Sequence, residues 1–99
     1  MLIEPFQPAP GGSTTCAVTT SDAFFAIPGD GECLELNNLT TGVVYIESDG
    51  ITPATVANSY PIAQGQCKVI KRWRGAGTPG IRAIAAVAGN LIVSVGNGL

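Results

Sequence analysis

The sequence has no histidine, little charge and few aromatic rings. Without an imidazole, a Ser–His–Asp or Cys–His catalytic system in its usual form is excluded, because the side chain that normally serves as its base is missing. The three cysteines, Cys16, Cys33 and Cys67, are widely spaced with no CxxC pair, so a structural zinc site is excluded too. They read as buried free thiols, which suits a reducing compartment. Charged residues make up 12% of the chain, against a usual share of about 25%. So few charges cover a free surface poorly, and the chain is expected to hide part of its surface in an assembly; a compact β domain rich in Thr, Ser, Asn and Gly is the alternative. Nowhere do about 18 apolar residues run uninterrupted, so no transmembrane helix is expected. The opening MLIEPFQPAPGG has an early Glu, three prolines and no apolar core, which is not the pattern of a signal peptide.

Helical signal is also missing. The nearest approach is the Ala-rich run at residues 83–88, which is short, flanked by Gly and mixed with Ile and Val, and reads as strand. What the chain does contain is β-prone runs divided by breakers. Thr14–Thr20 and Ala23–Ile27 end at the turn Pro28-Gly29-Asp30-Gly31, which is read as a hairpin. Glu32–Asn37 alternates so that Leu34 and Leu36 should point inward, and Val43–Ser48 is dense enough in Val, Tyr and Ile to be a central strand. Ile51–Gln66 reads as irregular, with Pro53 and Pro61 forbidding a continuous central strand, and is expected to cross from one sheet to the other. Gln66–Lys71 alternates again, and Arg72–Gly80 reads as a loop. Ile81–Val87 and Leu91–Val95 flank Ala88-Gly89-Asn90 and read as a β-hairpin, with Ala83, Ala85 and Ala86 suited to close approach between sheets. The expectation is a single all-β domain over residues 14–99, an antiparallel sandwich of jelly-roll or Ig-like kind with about seven or eight short strands. It follows an extended arm at residues 1–13, where Pro5, Pro8 and Pro10 fix the backbone.

Candidate chemistry is sparse. Glu32 with Glu35, and Glu47 with Asp49, are the nearest carboxylate pairs, and both are expected on solvated strand edges or turns rather than in a cleft. The glycines of Gly75–Gly80 are followed by no Lys-Ser or Lys-Thr pair and no helix, so they read as a turn rather than a phosphate loop. Asp30-Gly31-Glu32 lacks the ligand spacing of an EF-hand. Neither an enzymatic activity nor a cofactor is expected.

Charge is unevenly placed along the chain. All acidic residues lie in the first half and all basic ones in the second, for a net charge of −2. Opposite poles would suit contacts between copies, unless folding interleaves the halves. Four of the five basic residues and the lone Trp fall within CKVIKRWRGAGTPG, residues 67–80. Arg72, Trp73 and Arg74 are therefore the leading interface candidates, since Trp and Arg are enriched at binding hot spots. The competing role is a Trp lid over the open end of the sandwich, with Arg stems covering apolar surface. Leu2, Ile3 and Phe6 of the arm are the second set, able to dock on a neighbouring subunit. A net negative chain with one Trp offers little to nucleic acid.

The runs ECLELNNLTTGVVYIESDG, NSYPIAQGQ and IRAIAAVAGNLIVSVGNG, in that order, resemble a group of small β-sandwich virion proteins of tailed bacteriophages. The matching positions are Asn37, Val44, Ile46, Tyr60, Pro61, Gly65, Ile84, Ala85, Val93 and Gly96, and the similarity spans about residues 32–98. The resemblance implies a structural role without catalysis, foremost as a capsid decoration or cement protein. Its expected partners are the major capsid protein and copies of itself, with no nucleic acid or membrane, on the surface of a virion whose parts are made in the host cytoplasm. The alternative it implies is a tail or fibre module that recognises a host glycan. The KRWRG segment departs from the sparsely charged link usual in such proteins.

Overall fold

The computed structural model describes residues 6–29, 31–72 and 79–98. Eight strands form, β1 (Gln7–Val18), β2 (Ala23–Ala26), β3 (Cys33–Asn38), β4 (Val44–Glu47), β5 (Tyr60–Ile62), β6 (Cys67–Lys71), β7 (Gly80–Ala85) and β8 (Gly89–Asn97), with no helix among the described residues. Their pairing is nested. β1 joins β8, β2 joins β7, β3 joins β6 and β4 joins β5, all antiparallel, as if one long hairpin had been rolled up. Further pairing of β3 with β8 and of β4 with β7 completes two four-stranded sheets, ordered β1-β8-β3-β6 and β2-β7-β4-β5. Of the two sandwich types expected, this is the jelly roll.

Strict alternation builds the core. From the first sheet come Cys16, Val18, Leu34, Leu36, Leu91, Val93 and Val95; from the second, Val44, Ile46, Ile62, Ile81, Ala83 and Ala85. Each fully buried Val, Leu or Ile contributes about 1.5–3 kcal/mol relative to exposure. Leu34 and Leu36 point inward as their spacing requires, and Ala83 and Ala85 keep the centre of the second sheet thin. Ala86 lies outside the strand and is exposed.

Four local expectations are corrected. β7 and β8 do not form a hairpin: they belong to different sheets, and residues 86–88 carry the chain across the sandwich. The β2–β3 turn is likewise a crossing between sheets rather than a hairpin. The stretch after β4 contains a strand, β5, on which Pro61 is tolerated because β5 is the edge of its sheet. The crossing expected within that stretch comes after Ile62, where Asn38 accepts from Gly65 N at 3.1 Å and donates its own N–H to the Gln66 carbonyl at 3.1 Å. At the N-terminus, β1 begins at Gln7, inside the stretch read as an arm, and its first residues pair with Asn97 and Gly96 before an irregularity between Pro8 and Ser13.

The nested pairing also disposes of charge polarity. Every strand of the acidic half lies beside a strand of the basic half, and Asp22 ion-pairs with Arg82 across the β2–β7 boundary.

Candidate interaction surfaces

Of the six sequence-derived interface residues, Leu2, Ile3, Trp73 and Arg74 lie outside the described residues. Phe6 is half-buried, with its ring tip so close to Gly96 that a Cβ there would sit 2.7 Å from it. Arg72 is not an exposed anchor. It is 6% exposed, its guanidinium donates to the carbonyls of Ile27 and of Gly29 (2.8 Å for the latter), and its backbone N–H donates to Glu32 O at 2.7 Å. The β2–β3 crossing has carbonyls that no strand partner satisfies, and Arg72 supplies the donors for them.

Two surfaces stand out that the sequence reading did not single out. The first is one end of the sandwich. The register places residues 19–22, 39–43, 63–66 and 86–88 together there, since Val18 opposes Gly89, Asn37 opposes Cys67 and Val44 opposes Ala85. These loops carry one charged side chain, Asp22, which is engaged with Arg82. At their tips Leu39 and Val87 are 58% and 45% exposed. They stand on a firm frame. Buried Asn38 donates through Nδ2 to the carbonyls of Gly42 (2.9 Å) and Ile62 (2.8 Å), and its Oδ1 accepts from Thr40 N (2.9 Å) and Thr40 Oγ1 (2.7 Å). Leu39 N donates to Asn90 O at 3.0 Å, and Gly42 approaches Val87 so closely that a Cβ would meet its side chain at 3.3 Å. An aliphatic residue within a polar turn, as in NLTTG, was the available signal.

The second is a slot of about 260 Å³ on the open side of the sandwich, between edge strands β5 and β6. Ile46 and Ile70 line it apolarly, Tyr60 and Ser48 contribute polar tips, and Glu47 and Lys71 add one charge of each sign. Lys68 spans the same opening, with Nζ 4.4 Å from the Tyr60 ring centroid and donating to Pro61 O at 3.3 Å. Glu47 accepts from Ser59 Oγ at 2.7 Å, which fixes its carboxylate at the rim.

Three further titratable groups are perturbed by their surroundings. Burial pushes the Cys16 thiol up to about 11. Cys67 is exposed, unlike Cys16 and Cys33, and its thiol is raised by partial desolvation and then by the Glu35 carboxylate. Asp49 is held below the usual carboxylate range by the Thr52 hydroxyl and the N–H groups of Ile51 and Thr52. Among the described residues no three His, Cys, Asp or Glu side chains gather in a way that could hold a metal ion. No family model, curated protein or solved structure matches this chain.

Proposed function

We propose that this chain is a non-enzymatic structural protein of a tailed-phage virion, a decoration or cement protein bound to the head lattice through contacts with the major capsid protein. The observation that carries the reading is the weakly charged end of the sandwich, where a hydrogen-bonded frame presents Leu39 and Val87 outward. The low charge of the chain and the resemblance over residues 32–98 support the same reading. The mechanism is passive: a protein that bridges neighbouring capsomers adds buried area that must be re-exposed before they separate, so binding shifts the equilibrium toward the intact shell.

A tail or fibre module that recognises a glycan is the second reading, favoured by the exposed Tyr60 ring beside the slot. It ranks lower because about 260 Å³ is below the usual range of small-molecule pockets, roughly 300–1,000 Å³. The deciding experiment is occupancy on purified particles. The double substitution Leu39→Asp with Val87→Asp is expected to lower copy number at least tenfold, by the reasoning that a desolvated charge at a contact costs more than 1.4 kcal/mol, with the melting temperature of the isolated domain unchanged. Parental occupancy of the variant overturns the assignment of this end, and a copy number of only a few per particle favours the tail.

A further inference from the structure

We propose that the slot between β5 and β6 seats the N-terminal segment of a second copy of this chain, with Ile3 filling the slot and Leu2-Ile3-Glu4 extending the first sheet along β6. The inference concerns contact between copies and stands whether or not the particle is a phage head.

β6 is the edge best able to accept another strand. The opposite edge of its sheet, β1, carries Pro8, Pro10 and a register irregularity; the edges of the other sheet are β5, which contains Pro61, and β2, only four residues long. β6 runs for five residues, CKVIK, without proline. Added strands draw affinity from main-chain hydrogen bonds and specificity from pockets that take alternate side chains. On β6, Ile70 faces the slot and Lys71, next along the strand, sits at its rim, while Val69, opposite Glu35, lies on the other face. Leu2-Ile3-Glu4 has the matching pattern. Laid parallel to β6 with Ile3 against Ile70, it places Leu2 beside Val69 and Glu4 beside Lys71. The volume suits one or two aliphatic side chains rather than a small-molecule ligand.

The chain's own segment does not reach. Pro8, Gly96, Cys33 and Lys71 form one row across the sheet, so Lys71 is three strand spacings from β1, about 14 Å. Phe6 is held at the β1 end of that row, with its ring against Gly96. Three fully extended residues from Phe6 to Ile3 span at most about 11 Å. The occupant is therefore another copy's segment.

Sedimentation of the isolated, full-length chain tests this. The parent is expected to self-associate reversibly. Removal of residues 1–5 is expected to weaken association at least about a hundredfold, from the loss of Leu2 and Ile3 burial, with unchanged thermal unfolding, since β1 begins beyond the deletion. Lys71→Glu alone and Glu4→Lys alone are each expected to weaken it by up to about fivefold, and the two combined to restore it. A parent that remains monomeric at the highest concentration reached overturns the proposal. So does a deletion variant that associates as the parent does, which would assign the interface to another segment. Loss of association on deletion without charge-swap rescue would place the segment elsewhere than on β6 and overturn the slot assignment.

Discussion

Arg72, just past the end of β6, closes the β2–β3 crossing from beside the start of β3, and its guanidinium is the donor for the Ile27 and Gly29 carbonyls. Replacing it with Met keeps much of the stem and removes those donors. Hydrogen bonds from a charged group contribute about 1.5–3 kcal/mol each, and orphaned carbonyls add a desolvation cost. The expected outcome is a loss of about 2–4 kcal/mol in urea unfolding, with no change in oligomeric state. An effect on assembly with undiminished stability would restore Arg72 to the role of contact residue. In KRWRG the residue looks like one more surface cation, because the sequence around it does not reveal which carbonyls a distant turn leaves unsatisfied. Leu34 and Leu36 were readable for the opposite reason: strand alternation is local, and it alone assigns their face. Leu39 and Val87 were not, since single apolar residues in turns are common and only the fold brings these two together.

Most strands were legible from β-branched runs between Gly and Pro breakers, but partners were not. A connection as short as Ala86–Ala88 can turn a hairpin between neighbours or bridge two sheets about 10 Å apart. Ala88-Gly89-Asn90 satisfies both geometries, so the distinction rests on where β3 and β1 flank β8. β5 was hidden because Pro61 marks a non-strand unless the strand is an edge, and edge position is a property of the whole sheet. At the start of β1, Gly96 lets the chain lie flat on β8: a Cβ there would be 2.2 Å from Gln7 O. Gly96→Ala is expected to displace the first residues of β1, at a cost of about 1–3 kcal/mol. Amide exchange should rise near Gln7 and Asn97 while the Thr14–Val18 half of β1 keeps its protection. Unchanged exchange at Asn97 would show that the neighbouring backbone yields without unpairing.

At the scale of the molecule, the two halves are held together by interleaving, and Asp22 with Arg82 is an ionic tie between them. The Arg82 hydrogen bond holds the Asp22 carboxyl below its usual value, as does the Ala54 N–H at 2.9 Å. A carboxyl with a lowered folded pKa contributes its full stability above the unfolded value, near 4, and loses it as the pH falls through the folded one. Asp49 acts in the same sense. Stability should therefore be flat from neutrality to about pH 4.5 and decline below about pH 4, and Asp22→Asn should flatten part of that decline in melting temperature against pH. The nesting also bears on synthesis. β8 lies between β1 and β3, and β7 between β2 and β4, so neither sheet can close until the segment from Gly80 onward has left the ribosome. The nascent chain up to β6 has both sheets missing an inner strand, so a stable half-sandwich is not expected on the way. A product truncated before β7 lacks an inner strand of each sheet and is expected to be cleared by proteolysis rather than to compete for the finished protein's sites.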